Sequence, residues 1–444
     1  MQRDLSPRSD PPWRQLIRQA GGADAGVALA GFLWFASLLG GYFLLRPIRD
    51  EMGAAGGVQQ LPWLFLGTLL ATLAIAPIFA ALVSKLPRGA LVRGCLRGLA
   101  LCLIGFWAAL KGAPADWQPL IGRVFFIWLS VYNVFIVSLF WSVMADRCST
   151  DQARRLYGLF AAGGTTGALL GSLVTATLVE RIGTAALLLI AAALLELGLI
   201  AYGRLADPAR QRDPLQARQA AEAVGGDLWG GLRAVFASPY LLGIAALMLL
   251  YAIGSTWLYF LQAELVADAL PDREARTAWF ARVDAWVNGL TLLLQLTVTA
   301  ALWRRVGLWL LLAAVPLISL AGFAALAAAP TLAVLALVQI SRRVAQFAFS
   351  SPAREALYVP LPREAKYKAK NLIDTVVFRS GDQAGAWSHT GLVALGLGST
   401  GIALAALPLS AVSLALALAL AAAHRRRTEP AAPAASPAPE SSWN

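Results

Sequence analysis

An all-α integral membrane protein, with twelve transmembrane helices in two six-helix halves, is the fold this sequence predicts. Three observations carry that prediction. The 444 residues are 58% hydrophobic and only 14% charged, a balance that excludes both disorder and ordinary globular packing. Twelve apolar stretches are each long enough to cross a bilayer, for which about 18–25 residues suffice. The cations are distributed unequally over the connecting segments, as the positive-inside bias requires. No regular ten-residue segments alternate with period two, so a β-barrel is not expected.

The spans follow in order. After an N-terminal segment 1–26, span 1 (27–46) closes on Tyr42, Arg46, Arg49 and Asp50, with Arg46 and Asp50 one turn apart. No short apolar region with a small-residue cleavage site opens the chain, so no removable signal is expected. Spans 2 (61–84) and 3 (92–110) are apolar; Cys95 and Cys102 in span 3 read as small packing residues, and with Cys148 they form no disulfide framework. Span 4 (120–145) carries Asn133, and span 5 (157–179) carries Gly163, Gly167 and Gly171 at the spacing that lets two helices approach closely. Span 6 (184–203) holds one acid, Glu196, read as structural.

The polar stretch 204–239, with Asp207-Pro208, Asp213-Pro214 and Gly225-Gly226-Asp227, reads as a linker between a first bundle (27–203) and a second (240–423). Spans 7 (240–263), 8 (278–302), 9 (307–327), 10 (331–351), 11 (369–396) and 12 (399–423) complete the second bundle. The Pro/Ala-rich tail 424–444 is expected to be disordered.

Orientation follows from the loops. With cations near a span end counted in the adjoining loop, 26 of the 37 Lys and Arg residues fall in one set of loops and termini, seven in the opposite set, and four (Arg282, Arg342, Arg343, Arg379) are left within spans. That imbalance predicts a multi-pass protein of the cell (inner) membrane with both termini cytoplasmic. It also accounts for the net charge of +12 without nucleic acid as a partner. The two halves echo one another: after span 10, Glu364-Ala365-Lys366 takes the place that Gln152-Ala153-Arg154 takes after span 4, an offset of 365 − 153 = 212. Two six-span halves with matching basic loops are the trace of parallel repeats in a major-facilitator-type transporter.

Fixed charge inside a lipid-length helix is costly unless it faces protein or water. A helix lining an aqueous cavity shows polar residues at i, i+3/4, i+7 and i+11. Span 8 has Asp284, Asn288, Thr291 and Gln295; span 10 has Gln339, Arg342/Arg343, Gln346 and Ser350; span 11 has Asn371, Asp374/Thr375, Arg379 and Asp382. Span 7 adds Ser255, Tyr259 and Gln262. The alternative, hydrogen-bonded glue between helices, suits isolated Ser, Thr or Gln residues. Ordered stripes with charges on several spans predict a shared cavity. Arg342 and Arg343 point about 100° apart on a helix, so one is expected to meet solute while the other pairs with an acid such as Asp284 or Asp374. Arg282 is expected to reach the membrane interface.

Other patterns point away from catalysis. Gly163 to Gly171 lacks the Gly-Lys-Ser/Thr ending of a phosphate-binding loop. His389 and His424 stand apart from any Cys/His/acid cluster, and no Ser sits with a His partner. Neither a metal site, nor a cofactor, nor an enzyme is expected.

At three places the chain resembles the non-mitochondrial ATP/ADP translocases of plastids and intracellular bacteria, with their free-living bacterial relatives. They are Tyr42-Phe-Leu-Leu45-Arg46-Pro-Ile-Arg49-Asp50; Phe140-Trp141-Ser-Val-Met-Ala-Asp146 with Ala153-Arg154-Arg155-Leu-Tyr157-Gly158; and Pro352-Ala-Arg354-Glu355 through Lys368-Ala-Lys370-Asn-Leu-Ile-Asp374 to Arg379-Ser-Gly381. The resemblance implies a major-facilitator-like exchanger of nucleotides whose span-1 and span-11 cations meet phosphates. Arg49 stands where translocases often have Lys, and Asp382 stands where they tend to carry Lys.

Together these readings predict a secondary transporter of an anionic, phosphorylated solute, with ATP/ADP or nucleoside triphosphate exchange first among candidates. Its expected partners are that small anion and the bilayer. The substrate-binding residues expected are Arg46, Arg49, Asp50, Asn133, Asp284, Arg342, Arg343, Arg354, Lys368, Asp374, Arg379 and Asp382. A proton-coupled major-facilitator transporter of another metabolite or amphiphile, with Asp284, Asp374 or Asp382 as carriers, is the alternative.

Overall fold

A lipid interior offers no partners for backbone N–H and C=O groups, so every crossing segment must satisfy its own. The computed structural model meets that demand with helices throughout. It describes residues 24–205, 228–297, 299–362, 369–370 and 372–428.

In chain order the helices are α1 (Ala25–Ala55), α2 (Leu61–Lys85), α3 (Arg88–Gly112), α4 (Gln118–Arg147), α5 (Thr150–Gly203), α6 (Leu228–Ala237), α7 (Pro239–Ala269), α8 (Arg273–Thr297), α9 (Thr299–Ala328) and α10 (Leu332–Ala345). A π turn at Gln346–Ser350 then leads into α11 (Ser351–Leu357). A second π turn at Ile373–Val377 leads into α12 (Phe378–Ala394), and α13 (Ser399–Thr428) follows.

Among the described residues, nine helices are long and apolar enough to cross a membrane. One of them, Arg155–Gly203, spans 49 residues. At 1.5 Å rise per residue that is more than twice the thickness of a hydrocarbon core of about 30 Å. Gly183, at φ 76°, breaks it into two crossings; a side chain there would be strained, and glycine is not. The crossings at α8 and at α12 with its π turn fall outside the nine. They carry Asp284, Arg379 and Asp382, whose polarity lowers their hydropathy. Spans 5 and 6 therefore meet at Gly183, and the twelve predicted crossings are accounted for. One element was not anticipated: α6 forms a helix inside the stretch read as linker. Lys366, Lys368, Asn371, residues 1–23 and residues 429–444 lie outside the described residues, whereas residues 424–428 of the tail expected to be disordered continue α13 as helix.

Helix starts are marked where the sequence supplies capping groups. Ser149 Oγ accepts from the Gln152 backbone N–H at 3.2 Å while Gln152 Oε1 accepts from the Ser149 N–H at 3.0 Å, a reciprocal cap that opens α5. Thr331 and Ser238 cap α10 and α7 in the simpler way.

The halves use the same packing device. α5 lies against α1 through Gly163, Gly167 and Gly171; a Cβ at Gly167 or Gly171 would overlap the carbonyl oxygens of Ala36 and Gly40. The three glycines thus serve close helix approach, as their spacing predicts. In the second half, α12 lies against α7 through Gly381 and Gly385, where a Cβ would come within 2.6 Å of Ala252 Cβ and 2.8 Å of Thr256 Cβ.

Among the described residues, three large apolar clusters locate the core, beside a small one of Val283, Val287 and Val344. One belongs almost wholly to the first half, around Trp34, Tyr132, Phe140 and Phe160. A second belongs to the second half, around Tyr240, Ile244, Leu357 and Tyr358, near the end where α13 finishes. The third crosses between the halves at the end away from the chain termini. There Ala54, Leu61, Leu64 and Phe126 pack against Leu261, Phe280, Phe323 and Leu335. Apolar closure between the halves is therefore built at one end of the bundle.

Candidate functional site

Behind that closed end lies a cavity of about 620 Å³, lined by α1, α2 and α4 of the first half and α7, α8, α10 and α12 of the second. Its charged lining consists of Arg46, Arg49, Arg342, Arg343 and Arg379 with Asp50, Asp284 and Asp382. Five guanidinium groups face three carboxylates, so the wall carries two more positive charges than negative ones.

Asp284 is the centre of the arrangement. It is 2% exposed, and its Oδ1 accepts from Arg343 Nη1 at 2.5 Å and from Arg46 Nη1 at 3.1 Å. Its other oxygen, Oδ2, is buried with no hydrogen-bond partner, as is Arg343 Nη2. Asp50, 4% exposed, accepts from Arg49 Nη2 at 2.6 Å and from Tyr259 OH at 3.2 Å. Arg46 Nε stands 3.7 Å from Asp50 Oδ2, one turn along the helix. Arg379 Nη1 reaches Asp382 Oδ2 at 3.4 Å. Arg46 joins Asp50 to Asp284, so one continuous charge network crosses from α1 to α8 and α10.

Arg342 differs from its neighbour. It is 5% exposed and donates to Ser319 Oγ at 2.8 Å, Ser255 Oγ at 2.9 Å and the Tyr251 carbonyl at 3.3 Å. Its guanidinium also lies 5.0 Å from the Tyr251 ring centre. Arg343 is thus the member of the pair that meets an acid, and that acid is Asp284 rather than Asp374.

The rest of the wall is largely aromatic and neutral. Phe35, Phe43, Phe65, Phe126, Phe347 and Phe378 line it beside Asn133, Ser130 and Gln339. Flat apolar faces thus stand within one space with forked cationic donors, which can hold an oxyanion bidentately.

Nine of the twelve predicted site residues share this cavity: Arg46, Arg49, Asp50, Asn133, Asp284, Arg342, Arg343, Arg379 and Asp382. Arg354 and Asp374 do not line it. They pair with each other, Arg354 Nη2 to Asp374 Oδ1 at 3.6 Å, near the end where Lys370 pairs with Glu355 at 2.6 Å. Their position on the chain placed them in the same charged run as Arg379, but they stand away from its cavity. Lys368 lies outside the described residues.

The span-8 stripe also divides. Asp284 enters the cavity, while Asn288 donates to Ser172 Oγ of α5 at 3.4 Å and Thr291 is buried without lining it. Those two serve helix packing instead. Arg282 pairs with Glu180 at 3.3 Å on an exposed surface, and Glu196 stands 3.8 Å from Arg97.

One grouping was not foreseen. Glu51, 1% exposed, accepts from Arg273 Nε at 3.0 Å and Arg276 Nη2 at 2.9 Å. This clasp ties the end of α1 to the start of α8 at the closed end. Its sequence signal was an acid at the end of span 1 and two arginines just before span 8.

No family profile and no curated protein sequence matches this chain. Its fold does match solved structures. A bacterial homologue of the human lysosomal transporter Spinster, in an inward-facing and unoccupied conformation, superposes with a TM-score of 0.61 at 13% identity. That match covers 93% of this chain and 100% of the other. The nucleoside transporter NupG superposes with a TM-score of 0.56 at 14% identity, covering 91% and 99% respectively. Likeness at this level of identity establishes the fold alone: an all-α membrane architecture shared with these two structures.

Proposed function

We propose that this protein is a secondary transporter of an anionic, phosphorylated solute, a nucleotide first among candidates, working by alternating access. The observation that carries the proposal is the surplus of guanidinium over carboxylate in one aromatic-walled cavity between the halves. An isolated buried charge is unstable in a low-dielectric interior, and a solute that brings two negative charges balances this wall. The aromatic faces give a planar base something to stack on. The resemblance to ATP/ADP translocases at Arg46, Arg49 and Arg379 supports the same reading. So does the nearness of the fold to transporters, one of which is named for nucleosides.

The mechanism follows from where closure is built. The apolar cluster and the Glu51 clasp shut one end, so solute enters from the end that carries the chain termini. An oxyanion binding Arg46 and Arg343 takes the place of Asp284, and the tie between the halves at that point is exchanged for one through the solute. Rocking of the halves then moves the closure to the other end. The loop charges support a reading with both termini cytoplasmic, the protein in the cell (inner) membrane and bundles at 27–203 and 240–423.

A second reading rests on Asp284 and Asp382, which place carboxylates in the cavity of a major-facilitator fold. Either can carry a proton, so proton-coupled transport of another metabolite is the alternative. Flux in proteoliposomes separates the two. Exchange requires nucleotide inside the vesicle and ignores an imposed pH gradient; proton coupling shows the reverse dependence.

A further inference from the structure

The second half encloses a smaller cavity of about 50 Å³, bounded by α7, α9, α10, α11 and α13. Two guanidinium groups, Arg342 and Arg354, line it together with Ser319, Gln346, Ser410 and Ser413, and no carboxylate does. Arg342 has only neutral partners: two hydroxyls, one carbonyl and the Tyr251 ring. Among the described residues it is the one arginine of the central cavity without an acid in reach; Arg46, Arg49, Arg343 and Arg379 each have one. Arg354 Nε is buried with no hydrogen-bond partner, and its acid, Asp374, stands 3.6 Å from Nη2.

A buried guanidinium does not lose its proton. A charge so buried is paired or hydrogen-bonded by something that compensates it. We propose that this smaller cavity binds a chloride-sized inorganic anion as the counter-ion of Arg342. The size fits. One water needs roughly 10–15 Å³ of such space, so a halide enters and a nucleotide does not. The chemistry fits as well. Ser319, which accepts from Arg342, keeps its own hydroxyl proton to donate, and Arg354 Nε is an unused donor, while Met248, Leu312 and Val315 form walls that suit a large, weakly hydrated anion better than a phosphate.

The position gives the site a consequence. Ser319 lines only the smaller cavity and Ser255 only the central one. Arg342 donates to both. Its guanidinium therefore stands in the wall between the two spaces. An anion on one side cancels one of the two surplus positive charges presented to the other. The site does not depend on which solute the central cavity carries.

The test uses the full-length protein purified in detergent, at fixed pH and ionic strength. Thermal unfolding is followed as sodium gluconate is replaced stepwise by sodium chloride, sodium bromide or sodium phosphate. A ligand that binds only the folded state raises the melting temperature, here by about 2–4 °C once its concentration is a few times Kd and logarithmically further above that. Chloride and bromide are expected to give that graded rise, and gluconate and phosphate none. Ser413→Leu fills the cavity while leaving Arg342 and its charge in the chain, and is expected to abolish the rise. If that variant does not fold, Arg342→Met, which removes the charge, is expected to abolish it too. Equal melting temperatures in chloride and gluconate overturn the proposal. So does a response to phosphate alone, or a chloride rise that survives in the variant that folds.

Discussion

Arg46 on α1 donates to Asp284 on α8 at 3.1 Å, an ion pair that joins the two halves through the middle of the cavity. Arg343 holds the same carboxylate oxygen from within the second half. One acid thus restrains two cations that the proposed mechanism hands to the solute.

Asp284→Asn removes that shared acid and leaves Arg46 and Arg343 facing each other. Breaking a buried ion pair costs about 3–5 kcal/mol, so the unliganded variant is expected to melt well below wild type. An anionic ligand supplies the missing charge. The melting rise on adding nucleotide is therefore expected to be larger in Asp284→Asn than in wild type. Equal rises would mean that solute does not meet these two arginines.

Arg343→Ala and Arg379→Ala are expected to abolish uptake while the protein still inserts. Truncating one partner of a buried, hydrogen-bonded charge pair costs about 2–5 kcal/mol, so the loss should be at least about thirtyfold. Uptake into cells or proteoliposomes, normalised to inserted protein, checks this. Activity within a factor of about three of wild type would remove these residues from the pathway.

Glu51→Gln is expected to loosen the closed end, because Arg273 and Arg276 lose the buried acid they share. Thr68 lines the cavity and is buried, so Thr68→Cys reports on access to it. A membrane-impermeant thiol reagent added from the side of the closed end should label Thr68→Cys several-fold faster when Glu51→Gln is also present. An unchanged rate would show that the clasp does not hold the closure.

Gly167→Ala is expected to destabilise the first half by about 1–3 kcal/mol, the usual cost of forcing atoms into a filled core. The new Cβ meets the Ala36 carbonyl, which cannot rotate away. Gly158 sits in the same helix with nothing within 4 Å of its Cβ position. Gly158→Ala should be neutral or stabilising by up to about 1 kcal/mol. Thermal unfolding of the two variants side by side makes the comparison.

Much of this arrangement was legible because charge in a lipid-length helix is costly and so must be used or neutralised. Arg46, Asp284, Arg343 and Arg379 stood out for that reason, and all four line the cavity. Spacing predicted the polar faces but not what each face meets. Asn288 and Thr291 share a stripe with Asp284 yet pack in the protein interior, since α5 covers that part of α8. Arg354 and Asp374 belong to the same charged run as Arg379, but they sit toward the chain-terminal end, 3.6 Å from each other. Glu51 was hidden beside Asp50: adjacent helical positions point about 100° apart, so one acid enters the cavity while the other reaches the clasp. Arg342 and Arg343 divide for the same reason. Which of them found the acid depended on α8 lying beside α10, a tertiary fact that no local pattern contains.

The most direct test of the central claim is counterflow in proteoliposomes loaded with unlabelled nucleotide, with labelled ATP, ADP, GTP and NAD supplied outside in turn. The account predicts that at least one label accumulates above background, that accumulation needs nucleotide inside, and that Arg343→Ala abolishes it. Background flux for all four, with or without internal nucleotide, would contradict it.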